Sequence, residues 1–131
     1  MLADDSKMIR RLNSRLFDKE GCDVICFSDG RLAYEYLRDE SSHTDLAVFD
    51  INMAVGHPDG AEEGWDGDRA VREYRLHEAH ESGSRKLPIL ISSSESGERI
   101  LSAIQDGATG FVSKTLTPRE VQSILYCYVK V

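Results

Sequence analysis

The chain has 131 residues, 40% of them hydrophobic, which is the size of one ordinary domain with one continuous core and one principal site. Its 23 acidic against 16 basic residues give a formal charge of -7, which argues against a nucleic-acid surface and against anionic lipid, and suits a metal ion or a basic protein partner. Cys22, Cys26 and Cys127 include no CxxC pair, no apolar run approaches the ~20 residues of a membrane span, and the N-terminus has no signal-peptide core, so reduced thiols in a soluble, cytoplasmic protein are expected.

Taken in chain order, the first apolar run is the stub Met1–Ala3, which leads into Asp4 and Asp5. Met8, Ile9, Leu12 and Leu16 recur near a 3.6-residue period and predict a first helix. "DVICF" (23–27) predicts a strand, the "DG" of 29–30 a joint, and Leu32, Tyr36 and Leu37 a second helix. "LAVFD" (46–50) is a strand that ends on a carboxylate, a costly group to desolvate unless a cation or several donors meet it. Ala70, Val71 and Tyr74 mark a third helix, "PILIS" (88–92) a strand, Ile100, Leu101 and Ile104 a fourth helix, and "GFVS" (110–113) a last strand. "TPRE" (117–120) places Thr, Pro and Glu at N-cap, N1 and N3, a strong start for the helix marked by Val121, Ile124, Leu125 and Tyr128.

The strand runs are continuous and not alternating, as expected of strands covered on both faces. Alternation with helices predicts an α/β fold, a doubly wound parallel sheet with right-handed crossovers, whose function belongs at the carboxyl ends of the strands. Those ends carry Asp4, Asp5, Asp50, the serines after "PILI", and Lys114. Three clustered carboxylates repel one another unless a divalent cation sits among them, and hard oxygen donors suit Mg²⁺ or Mn²⁺. An aspartate held ionised in such a place can attack phosphorus, with an ammonium and a hydroxyl meeting the transferred oxygens.

"ADDS" (3–6), "VFDINM" (48–53), "WDGDRAVREYR" (65–75), "PILISSS" (88–94) and "DGATGFVSK" (106–114) together resemble a response-regulator receiver domain, the phosphoryl-acceptor module of two-component signalling. The resemblance spans nearly the whole chain in family order and implies a five-stranded, flavodoxin-like sheet of order 2-1-3-4-5 with five helices. It implies Asp50 as phosphoacceptor, Asp4 and Asp5 as the acidic pair with Asp5 the direct ligand, and the Asp50 carboxylate and Asn52 backbone carbonyl as further ligands of Mg²⁺. Lys114 becomes the phosphate contact and Phe111 the aromatic switch. Spacing back from Lys114 gives Ser92 as the switch hydroxyl, whereas spacing forward from Pro88 gives Ser93; Ser92 is preferred. The implied partners are a histidine kinase or histidine phosphotransfer protein, a downstream effector or output domain, and a second copy as homodimer, with no direct nucleic-acid or membrane binding. The output face would be the fourth helix, fifth strand and fifth helix. The chain would be a regulatory switch, not an enzyme beyond its own phosphorylation and dephosphorylation.

Three departures from the family pattern stand out. The first strand is a stub, so residues missing at the N-terminus, or a second chain completing it, are expected. An insertion at about 54–65 lengthens the loop after the third strand of a receiver domain otherwise covering 1–131. Thr115 replaces the usual proline after the lysine, so a trans peptide, or a strained cis one, is expected there. "HEAHE" (77–81) reads as a solvated helix end and not as a metal site. Two other functions are compatible with parts of this pattern. Asn52 lacks the carboxyl that an aspartate-nucleophile phosphatase needs two positions after its nucleophile. A non-phosphorylated, receiver-like interaction module would need none of the rim residues.

Overall fold

The computed structural model describes residues 1–39, 41–53, 64–81, 86–93 and 97–129. Five strands, β1 (Leu2–Ala3), β2 (Cys26–Phe27), β3 (Ala47–Asp50), β4 (Ile89–Ser93) and β5 (Gly110–Ser113), form one sheet in the order β2-β1-β3-β4-β5, every pair parallel. Helices α1 (Lys7–Lys19), α2 (Gly30–Arg38), α3 (Gly67–His80), α4 (Gly97–Gln105) and α5 (Pro118–Tyr128) alternate with them. The expected fold class, strand order and short first strand are what the structure shows. Among the described residues no peptide bond is cis, so the bond before Thr115 is trans. Ten of the inserted residues, 54–63, lie outside the described residues.

The pleat divides the core in two. Leu2, Val48 and Leu90 occupy one register row and pack with Phe17, Val121, Ile124 and Leu125 on the α1/α5 side. Ala3, Phe49 and Ile91 occupy the next row and pack with Ala33, Leu37, Ala70, Val71 and Ala103 on the α2/α3/α4 side. Successive residues of a strand point to opposite faces, so a strand buried on both sides must be apolar at every position. That is why the runs read as continuous.

Helix starts follow their sequence signals. Ser6 accepts from the Ile9 amide at 3.3 Å, Asp29 from those of Arg31 and Leu32 at 2.7 and 3.1 Å, and Thr117 forms a capping box with Glu120. β2 is shorter than the expected 23–27, because a two-residue β1 offers ladder partners only to Cys26 and Phe27, with the Leu2 amide donating to the Ile25 carbonyl and the Asp4 amide to the Phe27 carbonyl. α4 also differs. Its buried residue is Ala103, while Leu101 and Ile104, two of the apolar residues that mark the helix in the sequence, face outward.

Arg75 ties the lower end of the sheet together. Its guanidinium donates to the carbonyls of Gly107 (2.9 Å) and Leu87 (2.8 Å) and pairs with Glu78 (2.8 Å), which in turn accepts from the Leu87 amide at 2.9 Å. The connections before β4 and β5 are thereby fixed to α3.

Candidate functional site

The row that holds Leu2, Val48 and Leu90 in the core continues past the apolar layer. Two residues further on in each segment stand Asp4, Asp50 and Ser92, and Lys114 follows Val112, the partner of Ser92 on β5. The period of two that buries the hydrophobic residues thus delivers the polar ones to the same face at the carboxyl end of the sheet. Asp50 pairs with Ser92 across β3 and β4, and Ser93 pairs with Ser113 in the opposite row.

Asp50 is 1% exposed, and its Oδ2 lies 3.1 Å from Lys114 Nζ. Its Oδ1 receives a long bond from the Asn52 amide, 3.4 Å. Asp4, also buried, accepts from the Ser6 amide at 2.8 Å, and its own carbonyl is held by Arg10 Nη1 at 2.6 Å. Asp5 is exposed. Gly67 lets α3 close on the end of β3: its amide donates to the Ile51 carbonyl at 2.9 Å, and a Cβ there would lie 2.2 Å from the Asp50 carbonyl oxygen.

The electrostatics are those of crowded acids. Burial, then the charge of Asp4, pushes the Asp50 carboxyl up to about 6, against the opposing hydrogen bond and charge of Lys114. Burial likewise raises Asp4. For Lys114, burial pulls downward, but the hydrogen bond and charge of Asp50 outweigh it and hold the ammonium above its usual range.

One oxygen from each of Asp4, Asp5 and Asp50 can be chosen so that all lie within 4.8 Å of one another. Hard, anionic oxygens at that spacing, two of them on carboxyls that burial makes reluctant to ionise, fit a divalent cation of the Mg²⁺ or Mn²⁺ kind. The structure therefore brings together the three aspartates, Lys114 and Ser92. Phe111 stands apart in the register row of Ile91, on the edge strand, and its ring is exposed rather than in the core.

Sequence reasoning missed Arg99. From α4 its Nη1 donates to Asn52 Oδ1 at 3.0 Å, and its Nη2 lies 3.8 Å from carboxylate oxygens of both Asp66 and Asp68. Nothing in the sequence marks a contact across 47 positions. Trp65 was part of a recognised motif but carried no role; it stacks near Tyr34 (centroids 5.2 Å apart) and under the Arg69 guanidinium (4.3 Å).

The sequence model of the response regulator receiver domain matches residues 1–126. The chain is 29% identical over 125 residues to the regulatory protein AtoC of Escherichia coli (strain K12), a match covering 95% of this chain and 24% of AtoC, so the chain spans only a fraction of that relative's length. Among solved structures, the signal receiver domain of the response regulator NarL from Mycobacterium tuberculosis superposes with a TM-score of 0.74 at 26% identity, covering 97% of this chain and 92% of that one. The chemotaxis response regulator CheY4 of Vibrio cholerae superposes at 0.76 and 26% identity, covering 98% and 95%. The receiver domain of NtrX from Brucella abortus shares the fold at 0.76 and 21% identity, covering 99% and 97%.

Proposed function

The chain belongs to the response regulator receiver domain family, and on that footing we propose that it is a phosphoryl-accepting switch in which Asp50 takes a phosphoryl group from a partner phosphohistidine. Residues 1–131 act as one receiver unit that includes the insertion at about 54–65. The observation that carries the reading is the setting of Asp50, a buried carboxylate between two other aspartates and Lys114 Nζ at 3.1 Å.

Asp4, Asp5, Asp50 and the Asn52 carbonyl would hold Mg²⁺. Such a cation, when bound, neutralises the cluster and the incoming phosphoryl oxygens. An Asp50 oxygen attacks phosphorus as the P–N bond to the donor imidazole breaks, and the leaving imidazole takes up a proton. Lys114, freed from the carboxylate, follows the negative charge onto the phosphoryl oxygens, and the Ser92 hydroxyl donates to another. The added charge and acceptors are what draw β4 and the aromatic Phe111 into a second arrangement.

The donor would be a histidine kinase or histidine phosphotransfer protein. The output face would be α4, β5 and α5, where Leu101 (65%), Phe111 (59%) and Tyr126 (75%) are unusually exposed for their type and would meet an effector, an output domain or a second copy. Incubation with acetyl phosphate and Mg²⁺ should add one phosphoryl group, about 80 Da by intact mass. The adduct should be absent without the cation and absent in Asp50→Asn; an adduct that survives that substitution would overturn the assignment.

A further inference from the structure

The turn after β3, Ile51–Met53, carries the carbonyl that the proposed reading gives to the metal, and contacts from β4, α3 and α4 hold it, the first of them from the Ile51 amide to the Ser92 carbonyl at 3.3 Å. The Asn52 amide reaches Asp50 Oδ1 only at 3.4 Å. The Met53 amide is held by Asp66 Oδ1 at 2.8 Å and the Ile51 carbonyl by the Gly67 amide at 2.9 Å, so both neighbours of Asn52 are tied to the start of α3. Asn52 itself is tied through its side chain to Arg99 on α4, at 3.0 Å. The other arm of the guanidinium faces Asp66 and Asp68, closing a ring of contacts that runs Asn52, Arg99, Asp66, Met53.

We propose that Arg99 is a positioning residue for this site: its guanidinium fork holds Asn52 and thereby sets the direction of the Asn52 carbonyl and the affinity of the site for a divalent cation. A guanidinium is suited to this task because it is planar and always charged, with donors in a rigid fork, so one arm can orient an amide while the other is anchored by carboxylates. The 3.8 Å separations to Asp66 and Asp68 are long for hydrogen bonds, so the oriented contact is the one to Asn52 and the carboxylates act as anchors. Groups that orient a ligand from outside the coordination sphere alter metal affinity strongly when removed.

The proposal rests on the metal-assisted reading above, and its test separates the two. The cationic Arg99 also repels a metal through space, so deleting it has two effects of opposite sign. Asn52 is neutral, so the through-space effect is the same whether Asn52 or alanine is present, and a double-mutant cycle isolates the positioning effect.

Mg²⁺ affinity is measured by calorimetry for the wild-type chain, Arg99→Met, Asn52→Ala and the double variant. Arg99→Met should weaken binding by about tenfold when Asn52 is present, and should leave it unchanged or tighten it when Asn52 is absent. Equal changes in the two backgrounds would overturn the proposal. Without any metal, amide hydrogen exchange at Asn52 and Met53 should quicken in Arg99→Met while exchange in the β3 core stays as in wild type; unaltered exchange at the turn would also overturn it. If Arg99→Met does not fold, Arg99→Lys, which keeps the charge and loses the fork, should show the same sign of coupling, and zero coupling would count against the proposal. A wild-type chain that takes up no Mg²⁺ would overturn the reading underneath.

Discussion

Asp50 is the residue at which stability and the proposed chemistry oppose each other. Its folded carboxyl sits at about 6, above an unfolded value of 3.8, because burial and Asp4 disfavour the ionised form. A carboxyl raised in this way binds its proton more tightly in the folded state, so its contribution to stability falls as pH rises from the unfolded value to the folded one. Above pH about 6 the metal-free protein bears the full cost, and below about 4 it bears none. Asp50→Asn should therefore stabilise the metal-free protein by about 1–3 kcal/mol at pH 7.5, less the value of the lost Lys114 pairing. Thermal melts should show an increase of several degrees that shrinks as the pH is lowered through 6 to 4; a variant less stable than wild type at every pH would contradict this account. The acidic pair, Asp50 and Lys114 were all legible in the sequence, because each stands directly at the end of an apolar run. Arg99 was not, because its partners belong to other elements and only their packing brings them near.

At the scale of elements, the pleat of β4 distinguishes two adjacent serines that spacing left open. Ser92 shares the row of Leu90 and faces the side of Asp50 and Val112, whereas Ser93 shares the row of Ile91 and pairs with Ser113. A shift of one residue along a strand reverses the face, so the two hydroxyls cannot exchange faces without a register slip. Ser92→Ala should slow phosphorylation from acetyl phosphate by roughly tenfold or more, as expected for removal of one donor to a charged oxygen, while Ser93→Ala should change it by less than about threefold. Rates followed by intact mass would decide it, and a larger effect at Ser93 would reverse the assignment. The same scale explains why β2 closes after two residues and why α4 turns Leu101 and Ile104 outward. Ladder partners and helix rotation are set by neighbours, and periodicity alone reports only that an element is amphipathic.

Across the whole molecule, the sheet concentrates negative charge at one rim of a protein that already carries -7. A cation that binds only the folded chain should stabilise it by linkage, about 3 kcal/mol at a concentration one hundred times Kd. Mg²⁺ should accordingly raise the melting temperature of the wild-type protein by several degrees and that of Asp50→Asn by much less, while Na⁺ at equal ionic strength should not reproduce the difference; equal shifts in both proteins would point to general screening rather than to the aspartate cluster. The described residues include no helix long and apolar enough to cross a membrane.

The sequence by itself determined the order of the elements, the parallel sheet and the identity of the rim acids and lysine. These follow from local periodicity and from the chemistry of charged residues at strand ends, both of which are written in neighbouring positions. Only the tertiary structure decided that Ser92 and not Ser93 shares a face with Asp50, that Phe111 stands exposed on an edge strand, and that Arg99 reaches Asn52. Each depends on register or on the packing of elements distant in the chain, and the free energy that selects them comes from contacts no local stretch contains.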